Sequence, residues 1–548
     1  MCKGRQSMWK SYLKNERGLA ALVAMLLVGM LTLIGLAAMS TSDDEVQVAG
    51  NKWQETKAFY AAESGLDKAV SELMGHYDTA NAVPGSLPHG EEDVNNCEVT
   101  YNTVDSGAAT AQVIAAGAQA GLHALVKKFA VSATAANMTD NASVTLRETF
   151  ELAICPLFQF AVFYDKDLEI APGPNMTLLG RVHSNGDLYI QALNSLKMDS
   201  YVTASGAIKH GRKGPGSVDA GDVQVKNGAG TYKSMQLGAG WLDHSYSNWY
   251  DSSVARWNGR VQDADHGQGE LKVPITGGGD PHKLIERATG NPDSYENKAT
   301  LKFINGAALQ LQSGSWVDVT AAMTAAGVIT YSANKFTDQR ENKVADVTDI
   351  DVAKLYANGY APANGVVYFS DKRAGEDFPA LRLKNGTELG APLTIASENP
   401  VYTVGNFNST KKKAAAILAD AYTCLSGSWD DTKSAMAKTD RPASNTTVNV
   451  CYATGNVNTS STTYNGGFEN LLRFLEDWSN KTSTWTGSAV CLWNSTQATG
   501  TWNGAYYTPP ARTWSYDSMF DDPNNIPPEA PVIRVFHRTG WAQEHVGL

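Results

Sequence analysis

The sequence has few of the residues from which most metal, redox and nucleic-acid sites are built. It contains six cysteines and ten histidines in 548 residues, and no two cysteines have the CxxC spacing of a zinc site. Only 18% of the residues are charged, and the formal net charge is −11. Nonspecific binding to nucleic acid requires clusters of lysine and arginine, and the basic run at 411–413 is interpreted as a solvated loop. We therefore predict no metal cluster and no nucleic-acid partner.

Proline is missing between Gly18 and Pro84, and the first part of this stretch, 19–39, has no charged residue. At about 1.5 Å per residue, a helix of this length spans about 31 Å, which matches the hydrocarbon core of a bilayer. The preceding segment carries five positive charges against Glu16. By the positive-inside rule, the N-terminus stays in the cytoplasm and the chain beyond the helix is exported. The sequence therefore predicts one membrane-spanning helix.

The apolar pattern continues beyond the membrane segment at helical spacing. Apolar residues recur at three- and four-residue steps at Ala49, Trp53, Phe59, Ala62, Leu66, Ala69, Val70 and Leu73. This spacing predicts one helix over 19–74 with a single apolar stripe. Such a stripe must be covered by a globular head or by neighbouring helices of the same kind.

The first 75 residues or so resemble the N-terminal region of type IV minor pilins of the PilX kind. The resemblance depends on the basic leader that ends at Gly18, on the apolar helix, and on a motif formed by Phe59, Tyr60, Ala61, Ala62, Glu63, Ser64, Gly65 and Leu66. It implies that a prepilin peptidase cuts after Gly18 and methylates the new amine of Leu19. It also implies that the subunit leaves the inner membrane for an extracellular filament, with other pilins and the inner-membrane assembly platform as partners.

Two residues depart from the pattern of major pilins. These carry a glutamate at the fifth position after the cut, where this chain has Val23, and usually begin with Phe, where this chain has Leu19. A carboxylate in a bilayer is costly unless a partner compensates it. Its absence resembles minor subunits at a filament tip, which have no subunit above them. An uncleaved signal anchor is the alternative interpretation.

We predict an α+β fold with a long N-terminal transmembrane helix, an antiparallel pilin-like head and a mostly-β remainder. Strand patterns lie at 97–101, 122–133 and 144–154. The expected units are a leader at 1–18, the helix at 19–74, a β-meander head at 75–155, a β-rich region at 156–290, a mixed inserted subdomain at 291–365, and an aromatic β-rich domain at 366–548.

An internal repeat begins after Cys155. The segment 182–188 is echoed 20 residues later by 202–208, and a weaker third copy lies at 218–223. Short strands separated by Gly, Asn and Ser turns at this period favour a β-solenoid, in which each coil covers the apolar face of the next. A β-sandwich would give many of the same runs and stays open as the alternative.

The C-terminal part is aromatic. It holds seven of the 13 tryptophans, at Trp429, Trp478, Trp485, Trp493, Trp502, Trp514 and Trp541. We interpret them chiefly as core residues, with a binding face for sugars or partners as the alternative. The segment 466–478 is predicted to be an amphipathic helix, and a further helical piece is expected at 350–355.

Five cysteines follow the leader, which itself contains Cys2. In an exported protein disulfides are expected. We predict that Cys97 and Cys155 join the two ends of the head, and that two of Cys424, Cys451 and Cys491 pair.

Candidate chemistry is sparse. His183, Asn185 and Asp187 are interpreted as a turn between strands rather than a catalytic cluster. Two carboxylate groups, Asp165 with Asp167 and Asp346 with Asp349 and Asp351, are interpreted as surface charge, with a calcium site as the alternative.

No catalytic motif appears in a fitting context. We therefore expect a non-enzymatic minor pilin without a cofactor, at or near a filament tip, that initiates assembly and contacts surfaces or cells through an adhesin or a polysaccharide. The alternative is a membrane-anchored or filament-borne β-solenoid protein that acts on or binds polysaccharide.

Overall fold

A single helix dominates the N-terminal part of the chain. The computed structural model describes residues 16–80, 86–115, 119–139, 142–373 and 377–545, so the leader up to residue 15, with Cys2, lies outside the described residues. Helix α1 covers Glu16–Ala80, 65 residues, which corresponds to about 98 Å at the helical rise. It ends six residues later than the pattern predicted. Every residue from 18 to 53 is exposed, whereas the stripe that begins at Ala58 is buried.

The stripe packs on an antiparallel sheet that forms the head. Its first strands are β1 His89–Val94, β2 Cys97–Asp105, β3 Thr110–Val113, β4 His123–Asn137 and β5 Ser143–Pro156. They are arranged in the order β1-β2-β4-β5, with β3 also paired to β4. Side chains in β2 alternate between buried and exposed, because only one face of the sheet is covered by the helix. The three strands predicted for the head are confirmed, and each is longer than its pattern.

Beyond β5 the chain winds into parallel coils. The strands of this first half are β6 Phe160–Tyr164, β7 Leu168–Ile170, β8 Met176–Leu178, β9 Arg181–Ser184, β10 Leu188–Ile190, β11 Ser195–Met198, β12 Val202–Ala204, β13 Ile208–His210 and β14 Asp222–Lys226. Val182 lies opposite Val202, and Leu188 lies between Leu168 and Ile208. Every third strand from β6 to β13 therefore stacks in register after about 20 residues, and β14 stacks on β11 after 27, which is the arrangement of a β-solenoid with three faces.

The third copy predicted at 218–223 is wrong. The strand that follows β12 on its face is β18 (Val261–Gln262), because an insertion separates the two. The insertion holds the short strands β15 Tyr232–Ser234, β16 Gln236–Leu237 and β17 Gly240–Trp241, and helix α2 Trp249–Trp257. Within 218–223, the residues from Asp222 onward start β14, which pairs with β11 on another face.

The chain then crosses to the other end of the solenoid. This part contains α3 Tyr295–Lys298, β19 Leu301–Ile304, β20 Ala307–Gln312, β21 Ser315–Asp318, α4 Thr320–Ala325, β22 Ile329–Asp338, β23 Lys343–Asp351 and α5 Val352–Ala357. The helical piece expected at 350–355 starts later than predicted, because Ile350 and Asp351 still belong to β23. The Asp351 carboxylate accepts a hydrogen bond from the Lys354 backbone N–H at 3.0 Å and caps α5.

From this end the chain coils back towards its starting point. The strands are β24 Val366–Ser370, β25 Pro379–Lys384, β26 Leu393–Ser397, β27 Val401–Val404, β28 Ala415–Ala419, β29 Tyr422–Leu425, β30 Thr446–Asn449, β31 Cys451–Asn456, β32 Leu472–Arg473, β33 Thr482–Gly487, β34 Ala489–Asn494 and β35 Ala511–Tyr516. Strand β34 pairs in parallel with β6, Ala489 opposite Val162. One 12-stranded sheet therefore joins both halves, and the segments expected as separate units at 156–290, 291–365 and 366–548 all contribute strands to it.

The helix predicted at 466–478 is wrong. A short 3-10 turn, Phe468–Asn470, is followed by strand β32, which pairs with β29. Both polar and apolar residues of this segment are buried, Glu469, Arg473 and Glu476 included. The apolar spacing that suggested one helical face therefore comes from a chain that is buried on all sides inside the solenoid.

The last strand returns to the head. Strand β36, Val532–His545, pairs antiparallel with β5, Ile533 opposite Cys155. The whole solenoid is therefore inserted between two neighbouring strands of the head sheet. The unit expected at 366–548 is therefore too long, since its last strand belongs to the head sheet. A pairing between residues this far apart leaves no local pattern in the sequence from which it could be predicted.

The solenoid is fixed to one end of the head by an apolar cluster. Leu122, Val126 and Cys155 of the head, with Val535 of β36, share this cluster with Tyr368, Ala416 and Val490 on the outer side of the 12-stranded sheet. The segment from Leu271 to Ile285 contributes further apolar side chains. The two bodies are thus joined by packing as well as by two chain crossings.

Candidate filament-assembly site

The membrane half of α1 presents apolar side chains on all sides. The span Gly18–His76 contains an 18-residue window with a mean hydropathy of 2.6, none of it buried. Leu19 is 69% exposed and Val23 is 48% exposed. Removing apolar surface from water is worth about 25 cal/mol per Å², so such a surface is stable only in lipid or among similar helices. A transmembrane helix of this kind agrees with the sequence prediction.

The residues around the predicted processing site are sterically open. A side chain placed at Gly18 would have no atom within 4 Å, and Leu19 lies on the same exposed helix surface. Cleavage after Gly18 and methylation of Leu19 stay predictions.

The motif residues lie on two sides of α1. Ala61, Ala62 and Gly65 face the head sheet and are buried, whereas Tyr60 and Glu63 are exposed. Phe59 lies at the border, with its ring 6.2 Å from that of Trp541 on β36. The buried motif residues attach the helix to the head, and the exposed ones are accessible to neighbouring subunits.

Close packing between α1 and the head sheet explains why residue 65 is a glycine. A Cβ atom at this position would lie 2.6 Å from Val99 Cγ1 and 3.3 Å from Ala133 Cβ. The helix therefore approaches the sheet more closely here than any side chain allows.

The contacts along α1 fix its direction relative to the head. Near the membrane half, Asn137 Nδ2 donates a hydrogen bond to Gln54 Oε1 at 2.7 Å. Nearer its other end, Leu73 packs with Phe129 and Leu152. The helix therefore runs antiparallel to β4, and its membrane half leaves at the Asn137 end. The solenoid is attached at the opposite end of the sheet, the distal end.

The sequence did not point to the contacts of Gln54 with Asn137 or of Phe59 with Trp541. Each joins residues that are distant along the chain, and no local signal distinguishes them from other polar or aromatic residues.

His183 is a structural residue. It is fully buried, and its two ring nitrogens lie 2.8 Å from Thr203 Oγ1 and 2.9 Å from Asn185 Oδ1. Burial lowers the pKa of its imidazole to about 4. The ring is therefore neutral and enclosed between coils, as the turn interpretation requires.

Asp187 belongs to an aspartate ladder at one corner of the solenoid. Its backbone N–H donates to Asp167 Oδ1 at 2.9 Å, and its own Oδ1 accepts from the Ala207 backbone N–H at 2.8 Å. A Cβ at Gly206 would lie 2.4 Å from that same oxygen. The Asn-Gly-Asp sequence is thus explained by coil stacking.

The carboxylates considered for calcium have protein partners. Asp167 pairs with Lys213 at 2.6 Å and Asp349 with Arg382 at 2.6 Å. Asp165 accepts from Asn185 Nδ2 at 2.9 Å, and Asp346 accepts from the Asn334 backbone N–H at 2.7 Å. The remaining member, Asp351, caps α5. Asp346 and Asp349 are buried, so the interpretation of their group as surface charge is wrong. Calcium binding stays the alternative prediction.

The predicted disulfide between Cys97 and Cys155 is wrong. Cys97 lies opposite Asn137 at one end of β4, whereas Ile154, the residue before Cys155, lies opposite Leu125 at the other end. Twelve residues of strand separate these positions by about 40 Å, and a disulfide requires Cα atoms within about 7 Å. Cys155 is a free, buried thiol.

The prediction that two of the three later cysteines pair is wrong, because all three are free, buried thiols in the part of the chain that the structure describes. Cys451 packs on the outer side of the 12-stranded sheet, whereas Cys491 belongs to the interior cluster together with Cys424. Burial raises the pKa of the Cys155 and Cys491 thiols to about 12, so they are poor nucleophiles.

Most of the seven C-terminal tryptophans are core residues, as predicted. The buried ones are Trp478, Trp485, Trp493 and Trp514. Trp429 and Trp502 are half-buried, and Trp541 is 56% exposed on β36.

An exposed apolar helix whose second half packs on an antiparallel head sheet defines a pilin-like subunit. Comparison with known families agrees, since residues 17–67 match the family model described as PilX N-terminal. The N-terminal region is therefore that of a type IV minor pilin.

Comparisons over the whole chain add little. A search of curated proteins gives no match. Among solved structures, the competence-associated pilin ComZ from Thermus thermophilus matches at 12% identity, over 89% of this chain and 97% of that chain, with a TM-score of 0.24. A TM-score this low does not establish a shared fold.

Proposed function

We propose that this protein is a non-enzymatic minor pilin of a type IV pilus or a related filament, located at or near the tip. There it initiates assembly and carries the solenoid outward to contact surfaces or other cells. The observation that supports this most directly is the position of the solenoid at the distal end of the head, opposite the end from which the membrane half of α1 leaves.

The exposed apolar helix supports incorporation into a filament. Burying one exposed leucine or valine contributes about 1.5–3 kcal/mol, and the residues from Leu19 to Met39 present such side chains all round. Outside the bilayer, a bundle of similar helices covers this surface best. Other pilins are therefore the main partners, and the inner membrane holds the subunit before assembly.

The size and position of the solenoid support a tip location. Ten of the twelve strands in its large sheet are parallel, and the other two, β20 and β21, are antiparallel. At about 4.8 Å between strands, the ten parallel strands span about 43 Å. A body of this length at the distal end restricts the space for a subunit above it, and a subunit at the tip needs no such space.

Val23 supports the same location. In major pilins, which the N-terminal region resembles, the glutamate at this position pairs with the terminal amine of a neighbouring subunit. Val23 has no charge to offer such a partner, and an uncompensated carboxylate would be costly in the membrane.

Processing is tested by the Gly18→Ala substitution. We expect mature protein to begin at methylated Leu19, whereas the variant keeps Met1 and stays in the inner membrane. Gly29→Ala is the matched control, because Gly29 is also an exposed glycine of α1 with no atom within 4 Å of an added Cβ. Normal filaments containing uncut Gly18→Ala protein would contradict processing by a prepilin peptidase.

Tip location is tested by immunogold labelling of filaments with antibodies against the solenoid. Wild-type protein is expected at filament ends. Val23→Glu is expected to move label into the shaft, and Val23→Leu serves as the control without a charge. Even labelling of the shaft by wild-type protein would refute the tip location while leaving the pilin assignment intact.

A further inference from the structure

A cavity of about 430 Å³ lies at one corner of the solenoid. The chain between β29 and β30, residues 426–445, forms one wall with two 3-10 turns, Asp431–Lys433 and Lys438–Asp440. Glu476 and Lys481, from the next coil, form another part of the lining. Long insertions at one corner of a repeat structure often form binding faces, and this volume is within the usual range for small-molecule sites.

Trp429 lines this cavity as a fixed aromatic surface. Its indole Nε1 donates a hydrogen bond to Asp431 Oδ1 at 2.8 Å, and its ring meets that of Phe336 edge to face at 5.6 Å. Asp431 is itself held by Arg382 Nη1 at 2.6 Å. The indole is half-buried, so a ligand that stacks on it costs little further ordering of the side chain.

Arg441 supplies a buried donor without a partner. The residue is 4% exposed, and its Nη2 donates to Gln339 Oε1 at 2.8 Å and to the Tyr506 carbonyl at 3.0 Å. Its Nε has no hydrogen-bond partner among the described residues. Arg441 is therefore a buried cation that is held in the wall of the cavity.

The other lining groups mix both signs of charge. Lys433 and Lys481 form no ion pair within the described part of the chain, and Asp440 likewise pairs with no described cation. Glu476 accepts from the Ser426 backbone N–H and Oγ, both at 2.6 Å, and burial raises the pKa of its carboxyl to about 7. Cations and carboxylates are therefore interspersed, and neither sign dominates.

We propose that this cavity binds a neutral pyranose sugar. The apolar face of the ring would stack on Trp429, and its hydroxyls would accept from Lys433 and Lys481 and donate to Asp440. Hydroxyls can do both, whereas a carboxylate or phosphate could use only the cations and would meet Asp440 and Glu476 unfavourably. The inference rests on the surface-contact part of the proposed function and specifies the class of molecule that is contacted.

The test uses the full-length chain purified in lauryldimethylamine oxide, a detergent without a sugar headgroup. The probes are the methyl pyranosides of glucose, galactose and mannose, with galacturonate and inorganic phosphate as acidic comparisons. Binding is followed by saturation-transfer difference NMR and by calorimetry. We expect at least one neutral glycoside to bind more tightly than either anion.

Two substitutions in the cavity locate the site. Trp429→Ala is expected to weaken binding by about tenfold, which is the change in affinity that the loss of one good aromatic contact usually causes. Lys481→Met is expected to weaken it as well, and it keeps the proposal testable if Trp429→Ala fails to fold. Trp316→Ala is the control, because Trp316 is a 41% exposed tryptophan on β21 and is not among the residues that line the cavity.

Three results would overturn the proposal. These are no binding of any neutral glycoside, binding that both cavity variants leave unchanged, and binding of the anions alone. Because the assay uses purified protein, each is separate from a failure of processing or of tip location in filaments.

Discussion

The close contact between α1 and the head sheet at Gly65 gives a prediction with two opposing contributions. Gly65→Ala would place a methyl group 2.6 Å from Val99 Cγ1, and overpacking of this kind costs about 1–3 kcal/mol. The better helix propensity of alanine stabilises the folded state by up to about 1 kcal/mol and offsets part of this cost. We therefore expect the helix to be held to the head less tightly by about 1–2 kcal/mol.

The effect is local, so we would measure it by amide hydrogen exchange with mass spectrometry on peptides covering 58–73. A loss of about 1–2 kcal/mol makes exchange about 5–30 times faster. Gly50→Ala, in the exposed part of the same helix, has nothing within 4 Å of its Cβ and is expected to slow exchange or leave it unchanged.

A second substitution checks the cause. Val99→Ala removes the atom that the new methyl group would meet, so the double variant is expected to lose less stability than the sum of the single variants, by about 1 kcal/mol. Unchanged or slower exchange in Gly65→Ala would refute the close-approach explanation.

Three further predictions concern the solenoid and its thiols. Burial raises the pKa of Glu469 from 4.5 to about 7, so the folded state binds its proton more tightly and about 3 kcal/mol of stability is lost as the pH rises from about 4.5 to 7. Glu469→Gln is expected to flatten this loss in thermal melts between pH 5 and 8, and an unchanged pH profile would contradict it. Gly206→Ala sets a Cβ 2.9 Å from the Asp187 backbone nitrogen and is expected to destabilise the coils by about 1–3 kcal/mol. Gly173→Ala is the control, because Gly173 likewise has no positive φ and an added Cβ there meets no atom within 4 Å; equal losses of stability in the two variants would argue against the ladder. Iodoacetamide is expected to leave four thiols unlabelled in the native protein and to label all of them after unfolding, with no disulfide-linked peptide among them: Cys155, Cys424, Cys451 and Cys491.

Local patterns were sufficient for the helix, the head strands and the solenoid period. The stripe from Ala58 to Leu73 has helical spacing because one side of α1 faces the sheet. The echo between Val182 and Val202 exists because each coil repeats the same buried positions. In both cases the spacing of apolar residues in the sequence equals the repeat of the structure, the helical turn in α1 and the coil in the solenoid.

The features that sequence reasoning missed depend on non-local contacts. The pairing of β36 with β5 joins the end of the chain to the head, and nothing near Val532 indicates its partner. Cys97 and Cys155 looked suitable for a disulfide because they flank the head in sequence, yet they lie on β2 and β5, beside opposite ends of β4. The segment around Glu469 has helical spacing, but it is buried on all sides, so its period carries no information about one face.

The N-terminus of the protein recovered from sheared filaments provides the most direct test of the filament role. Mass spectrometry of the N-terminal peptide is expected to give methylated Leu19 as the first residue, in a fraction free of inner membrane. Protein that still begins at Met1, found only in the membrane fraction and never in the filaments, would show instead that α1 is a permanent anchor.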